Sequence, residues 1–218
     1  QVLLHTDTTQ LLTYHQAGGS AAERQAGAQW LMPILAKVDN ESIVVCPGAQ
    51  AALAALILSL SAPDQVILAE PVCYPGLAAA AKQFGRKLVS VASDQHGMLP
   101  AALLQTLREH PVGFIYLNPT LQNPTTRTMP AVRRQQLASI AAEHNLLIVE
   151  DDPYWLLADQ PPPALAALAP QQVCYIASLS KCLTPGLRLA YVVLPKPTLR
   201  QAFLRALRSF ALMATPLT

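Results

Sequence analysis

The segment around Lys181 groups more reactive side chains than any other part of the sequence. It has the order Ser178-Leu-Ser180-Lys181, with Arg188 seven residues after the lysine, and it directly follows an apolar run. Two hydroxyls, an amine and a guanidinium on one tight loop can grip a phosphate, and a lysine can form a Schiff base with an aldehyde cofactor. Partial burial and a nearby cation would favour the neutral, reactive amine, so we expect the lysine to be semi-buried. The alternative is a surface lysine whose stem lies along a turn.

A second candidate lies at the end of an apolar stretch, where Glu150, Asp151 and Asp152 follow one another and Tyr154 comes three residues after Asp151. A buried aspartate at the end of a strand can keep the ring nitrogen of a pyridine cofactor protonated. Consecutive acids can equally cap the next helix or bind a metal ion. The three acids by themselves are compatible with a cofactor site, a helix cap and a metal site.

Two further turns are expected beside these residues. Asn123 lies in a turn with two Asn-Pro pairs, where its amide could donate to a ring oxygen, although this is also ordinary turn chemistry. Gly48, Ala49 and Gln50 open a predicted helix, whose first amides suit a phosphate, although a plain strand-to-helix turn would look the same. Tyr74 could stack on a flat heterocycle or simply pack.

Alternating strands and helices are predicted to position these candidate residues. The helical segments predicted between the strands are Ala51–Leu60, Leu77–Phe84, Pro100–His110 and Ala131–His144, with a last helix over Leu199–Met213. Seven short apolar runs predict buried strands: Ile43–Cys46, Gln65–Ala69, Lys87–Val91, Val112–Leu117, Leu146–Glu150, Val173–Leu179 and Leu189–Leu194.

The alternation predicts an α/β fold, with a mixed, mostly parallel seven-stranded sheet covered by helices on both faces. The last strand should run antiparallel, because too few residues precede it for a crossover helix. The segment Gln160–Pro170, rich in proline and alanine, is predicted to be a stiff surface excursion. Ligands are expected at the carboxyl ends of the strands.

Composition excludes several classes of function. Charged residues make up 13% of the 218 residues, the formal net charge is +2, and the 15 Lys and Arg residues form no basic run, which argues against nucleic-acid binding by this segment. The four cysteines are far apart and lack metal-ligand spacing, so we expect reduced thiols, no metal site and a cytoplasmic protein. No apolar stretch is long enough to predict a membrane span.

Taken in order, Gly48-Ala-Gln50, Tyr74, Asn123-Pro-Thr, Asp151-x-x-Tyr154 and Ser178-x-Ser-Lys181 with Arg188 resemble the fold-type I aminotransferases, and the resemblance covers nearly the whole chain. It implies pyridoxal 5'-phosphate as the cofactor, amino-group transfer between an amino acid and a 2-oxo acid, and a homodimer. It also implies these site residues: Lys181 as the Schiff-base lysine and proton carrier; Asp151 for the pyridine nitrogen; Asn123 and Tyr154 for the phenolic oxygen; Tyr74 for stacking; Gly48, Ala49, Gln50, Ser178, Ser180 and Arg188 for the phosphate; and Tyr14 for the phosphate of the partner subunit.

The sequence around Lys181, together with Glu-Asp-Asp-x-Tyr, is most similar to that of the MocR-type regulators, in which a GntR-type winged-helix head precedes an aminotransferase-like body. Two functions therefore stay open, a transaminase and a sensor body that would contact DNA only through such a head. A third interpretation is an α/β domain without a cofactor. This sequence departs from the family pattern at one turn, where Thr126 stands in place of the usual glycine.

The resemblance divides the chain into three parts. Residues 1–40 are expected to form an N-terminal arm with dimer contacts, and residues 41–198 the cofactor-binding large domain. Residues 199–218 are expected to start the helix that leads to a small C-terminal domain, which has no counterpart in this sequence. Because that domain supplies the clamp for the substrate carboxylate in the family, this segment alone is expected to be a poor catalyst.

Overall fold

The structure is a computed structural model that describes residues 13–14 and 18–215. The strands are β1 (Ile43–Cys46), β2 (Val66–Ala69), β3 (Lys87–Ser90), β4 (Ser93–Asp94), β5 (Gly97–Met98), β6 (Val112–Leu117), β7 (Leu147–Asp151), β8 (Val173–Ser178) and β9 (Ala190–Val193). The helices are α1 (Ala21–Leu35), α2 (Ala49–Leu60), α3 (Pro75–Gln83), α4 (Pro100–Glu109), α5 (Ala131–Glu143), α6 (Leu165–Leu168) and α7 (Pro197–Arg208).

In the part of the chain that the structure describes, seven strands form one sheet in the order β1-β9-β8-β7-β6-β2-β3. In this sheet the strand pairs β8-β7, β7-β6, β6-β2 and β2-β3 are parallel, whereas β9 runs antiparallel to both of its neighbours, β1 and β8. The prediction of a mixed, mostly parallel sheet with an antiparallel last strand is therefore confirmed. The physical reason is the short connection between β8 and β9, which leaves no room for a crossover helix.

Helices cover both faces of this sheet, as predicted. Side chains of α1, α4, α5 and α6 pack on one face, and side chains of α2, α3 and α7 pack on the other. Along β1 the residues alternate between the two cores, with Ile43 and Val45 in the first and Val44 and Cys46 in the second. Burial on both faces explains why the strands are continuous apolar runs.

One expectation about the surface is wrong. The second half of Gln160–Pro170 is not a surface excursion, because Ala164, Leu165 and Ala166 are buried and begin α6. The amides of Leu165 and Ala166 donate to the carboxylate of Glu150 at 2.9 and 2.8 Å, so this short helix satisfies a buried acid on β7.

The last helix packs against the sheet through its apolar residues. It ends at Arg208 rather than at Met213, and its Phe203, Leu204 and Leu207 are buried in the core that contains α2. Thus α7 belongs to the sheet body.

One long helix was not predicted from the sequence. Helix α1 begins with a capping box, in which the Ser20 side chain accepts from the amide of Glu23 and the Glu23 side chain accepts from the amide of Ser20. Leu31 and Ile34 then bury this helix against the sheet. The boundaries at residues 40 and 198 stay predictions.

Candidate functional site

A cleft of about 210 Å³ opens at the carboxyl ends of the central strands. Its lining includes nearly all of the site residues predicted from the sequence. The predicted residues that line it are Ala49, Gln50, Tyr74, Asn123, Asp151, Tyr154, Ser178, Ser180, Lys181 and Arg188. Of the other two, Gly48 lies at its edge, against the side chain of Arg188, and Tyr14 is an exposed side chain that does not line it.

Asp151 is the last residue of β7 and lies buried beside the cleft. Its Oδ2 accepts a hydrogen bond from the hydroxyl of Tyr116 at 2.7 Å, whereas its Oδ1 is buried and has no hydrogen-bond partner. Burial raises the pKa of Asp151 to about 6, and the hydrogen bond from Tyr116 partly opposes this. An acid with one unsatisfied buried oxygen is suited to receive a donor from a ligand.

Asn118, for which no role was predicted from the sequence, joins two of the predicted site residues. Its Nδ2 donates to the backbone oxygen of Asp151 at 2.6 Å, and its Oδ1 accepts from the amide of Asn123 at 2.7 Å. Because both ends of the carboxamide are used, Asn118 fixes the Asn123 turn against the end of β7. The Asn123–Pro124 peptide bond in this turn is cis.

The start of α2 forms the side of the cleft where positive potential is expected. Gly48 has φ +88°, and a Cβ at this residue would lie 2.7 Å from Nη2 of Arg188, so only glycine allows the guanidinium to approach so closely. The amide of Gly48 donates to the oxygen of Cys46 at 2.7 Å. The free amides at this helix start are therefore expected from Ala49 and Gln50.

Arg188 lies at the end of the short 3-10 helix Pro185–Leu187 and has a left-handed backbone, with φ +50°. Its Nη1 donates to Oγ of Ser180 at 3.4 Å, and the amide of Ser180 donates to Oγ of Ser178 at 3.2 Å. Left-handed backbone outside glycine is uncommon and often occurs at functional sites. Guanidinium, hydroxyl and helix amides thus converge where an anion would be stabilised.

Lys181 lines the cleft but is exposed, so the expectation of a semi-buried lysine is wrong. Strand β8 ends at Ser178, and the amide of Leu183 donates to the oxygen of Leu179 at 2.9 Å, which closes a turn around Lys181. This turn carries the lysine beyond the edge of the sheet and leaves its amine accessible from the cleft.

Tyr74 also lines the cleft and is the residue directly before α3. Its hydroxyl donates to Oε1 of Gln50 at 3.1 Å, and Nε2 of Gln50 donates to the oxygen of Gly76 at 3.1 Å. A Cβ at Gly76 would lie 2.3 Å from a ring atom of Tyr74, so the glycine makes room for the ring. These contacts hold the aromatic plane at the mouth of the cleft.

A buried ionic cluster includes Glu150 and Asp152, the two neighbours of Asp151 in the chain. Arg134 and Glu150 are fully buried, with 3.6 Å between Nη1 and Oε1, and Arg134 also donates to the hydroxyl of Thr120 at 3.0 Å. The Thr120 hydroxyl in turn donates to Asp152 at 3.1 Å. Burial raises the pKa of Glu150 to about 7, although Arg134 opposes the shift. The alternatives for the acid triplet are thus resolved in part, since Glu150 caps α6 and Asp151 faces the cleft.

Among the described residues, no group of acids, histidines and cysteines could hold a metal ion, and no helix is long and apolar enough to cross a membrane. All four cysteines are free thiols in this structure.

Comparisons with known proteins agree with this geometry. LysN, an alpha-aminoadipate aminotransferase from Thermus thermophilus solved with N-(5'-phosphopyridoxyl)-L-leucine, superposes with a TM-score of 0.87 at 30% identity, over 99% of this chain and 55% of that one. The fold and the cleft therefore define an aminotransferase-like domain.

A family model for aminotransferase class I and II matches residues 2–218, and the chain belongs to this family. The uncharacterized HTH-type transcriptional regulator YdeF of Bacillus subtilis is 35% identical over 97% of this chain and 46% of that protein. The 2-aminoadipate transaminase of Thermus thermophilus is 31% identical over 84% of this chain and 46% of that protein. The chain thus spans less than half the length of these two relatives.

The family and the phosphopyridoxyl complex support pyridoxal 5'-phosphate as the cofactor. The residues of the cleft fit this group. Asp151 offers a buried oxygen without a partner, Lys181 an accessible amine, and Arg188 a cation packed against Gly48. An anion, a flat ring and an aldehyde each have a matching side chain in one cleft.

Proposed function

We propose that this chain binds pyridoxal 5'-phosphate covalently through Lys181, and that the whole protein transfers amino groups between an amino acid and a 2-oxo acid. The observation that carries the proposal is the cleft itself, in which the accessible amine of Lys181 and the unsatisfied Oδ1 of Asp151 lie beside the anion-stabilising group at Arg188. Buried carboxylate oxygens of Glu70 and Asp152 also lack hydrogen-bond partners, but among the described residues that line the cleft only Asp151 has such an oxygen.

The phosphate would be held at the start of α2. Arg188 would supply charge, Ser178 and Ser180 hydroxyls, and Ala49 and Gln50 backbone amides. Gly48 would contribute through its close approach to Arg188, since its own amide is already donated to Cys46. Tyr14 would reach the phosphate of a partner subunit in a homodimer.

The ring would lie between Tyr74 and the end of β7. Pyridoxal phosphate, when bound, supplies an aldehyde and a pyridine ring that takes up electrons from the substrate bond being broken. Asp151 would keep a proton on the ring nitrogen through its free Oδ1. Tyr74 would stack on the ring, and Asn123 and Tyr154 would orient it through its phenolic oxygen.

Lys181 would have two roles. Its amine would anchor the cofactor, and after the substrate amine replaces it, the same amine would carry a proton between the substrate carbon and the cofactor. The exposed position of Lys181 on a turn suits this exchange, since the amine must move away from the cofactor and return.

A second function is favoured by one comparison. The relative at 35% identity over nearly the whole chain is an HTH-type transcriptional regulator. The same cleft could serve as the sensor body of a MocR-type regulator, which would bind the cofactor and contact DNA through a winged-helix head elsewhere in the protein.

One experiment separates these functions. The purified full-length protein, loaded with pyridoxal phosphate, is mixed with a panel of amino acids while the visible spectrum and the release of 2-oxo acid are followed. A transaminase loses its visible band and releases one 2-oxo acid per site, and Lys181→Ala removes both signals. A regulator would show DNA binding that depends on the cofactor, with little 2-oxo acid. Absence of any visible band in the wild-type protein would contradict both functions.

A further inference from the structure

Tyr116 lies on β6, next to the strand that ends in Asp151. Tyr116 pairs with Val149 in the parallel register, and because side chains alternate along a strand, Val149 and Asp151 point to the same face. The Tyr116 hydroxyl reaches Oδ2 of Asp151 at 2.7 Å. Since Tyr116 is 1% exposed and Asp151 6% exposed, water cannot easily replace this hydrogen bond.

We propose that Tyr116 is a positioning residue, whose hydroxyl holds Oδ2 of Asp151 and leaves Oδ1 as the one carboxylate oxygen that can meet the ring nitrogen of the cofactor. This inference rests on the proposed function. Tyr116 does not line the cleft and would act only through Asp151. It would therefore set both the orientation of the carboxylate and the pH range in which the carboxylate is charged.

The ionisation of the pair supports this role. Burial and the neighbouring Asp151 raise the pKa of Tyr116 well above its ordinary value, so the hydroxyl keeps its proton and always donates. The hydrogen bond from Tyr116 lowers the pKa of Asp151, which burial alone would raise further than about 6. The other titratable groups around the carboxyl are Asp152 on the same strand, Cys73 and Tyr74 near Tyr116, and Tyr154, Lys181 and Arg188 in the lining of the cleft.

Tyr116→Phe removes this donor and little else. Both oxygens of Asp151 would then lack a partner, so the carboxylate loses its fixed orientation and its pKa rises. In the wild-type apoprotein at pH 6, about half of the molecules hold a charged Asp151. If the proton becomes tenfold harder to remove, only about one molecule in ten is charged at this pH, and the apparent affinity for the cofactor falls about fivefold by this effect alone.

Tyr175 provides a matched control. It lies on β8, on the other side of β7, is fully buried like Tyr116, and stands beside Asp152 rather than Asp151. It does not line the cleft. Tyr175→Phe removes the same atom from an equally buried ring and tests whether loss of any core hydroxyl has the same effect.

The test measures the dissociation constant of pyridoxal phosphate and the pH profile of the visible band, at pH 6 and pH 8, in full-length protein. We expect Tyr116→Phe to weaken binding about fivefold more at pH 6 than at pH 8, and Tyr175→Phe to stay within twofold of the wild type at both. Equal effects of the two variants, or an unchanged pH dependence in Tyr116→Phe, would overturn the inference while the proposed function stands. No binding by the wild type would instead refute the proposed function.

A double variant keeps the test decisive if Tyr116→Phe alone does not fold. In an Asp151→Asn background, a residue that acts only through the carboxylate has no further effect on cofactor affinity or on its pH dependence. We therefore expect Tyr116→Phe/Asp151→Asn to fold and to match Asp151→Asn. A double variant that misfolds or binds still more weakly would show that Tyr116 acts independently of Asp151.

Discussion

Asp151 is expected to reduce the stability of the apoprotein at neutral pH. Its pKa is about 6 in the folded chain, against 3.8 as its ordinary value, because the carboxyl is buried. The folded state therefore holds the proton more tightly than the unfolded state. Well below pH 3.8 the group is protonated in both states and costs nothing, and the cost grows as pH rises until it levels off above about pH 6.

The magnitude follows from the same shift. The difference of roughly two pKa units corresponds to about 3 kcal/mol at pH 8 and to about half of that at pH 5. Asp151→Asn replaces the acid with a neutral group of the same shape and removes this pH-dependent cost. The amide leaves a buried NH2 group without a partner, which costs about 1–3 kcal/mol at every pH, so it does not alter the difference between pH values.

The assay is urea unfolding of the cofactor-free full-length protein, wild type and Asp151→Asn, at pH 5 and pH 8. We expect the free energy of unfolding of the variant, relative to the wild type, to increase by about 1.5 kcal/mol between the two pH values. The other acids are common to both proteins and largely cancel. Unfolding differences that are the same at pH 5 and pH 8 would refute the claim that Asp151 is held in an unfavourable buried position.

Three further substitutions test other parts of the site. Thr126→Gly should stabilise the protein by about 0.5–1 kcal/mol in urea unfolding, because Thr126 is β-branched with φ +60°; a loss of stability would contradict this. Gly48→Ala should cost about 1–3 kcal/mol and also weaken pyridoxal phosphate binding, since its Cβ would lie 2.7 Å from Arg188. The control Gly85→Ala, at φ +64° with nothing within 4 Å, should lose stability but bind the cofactor normally. Asn118→Ala should cost about 1–3 kcal/mol, since a buried backbone oxygen and a partly buried backbone amide lose their partner; unchanged unfolding would contradict its bridging role.

Much of the sheet was predictable, because buried parallel strands are short apolar runs with clear ends. Val112–Leu117 matches β6 at both ends, and the antiparallel β9 followed from a connection too short for a helix. Helix α6 was not predictable, since its burial depends on Glu150, an acid on the preceding strand 15 residues before Leu165. Local sequence does not show which distant partner a segment will meet.

The site was predictable in its members but not in its internal contacts. Residues at the ends of several strands converge because parallel strands end at one edge of the sheet, which is why Asp151 and Lys181 line one cleft. Tyr116 was missed because an aromatic residue in an apolar strand looks like an ordinary core residue. Asn118 was visible in the predicted turn, but only the structure shows that it bridges Asp151 and Asn123.

The most direct test of the account is to trap the cofactor on its lysine. Full-length protein is incubated with pyridoxal phosphate, reduced with borohydride and digested, and the peptides are analysed by mass spectrometry. We expect the phosphopyridoxyl group on the peptide that contains Lys181, in the wild type and in the exposed-lysine control Lys196→Ala, and no such peptide in Lys181→Ala. A phosphopyridoxyl group on another lysine, or equal labelling in Lys181→Ala, would contradict the assignment of Lys181 as the residue that holds the cofactor.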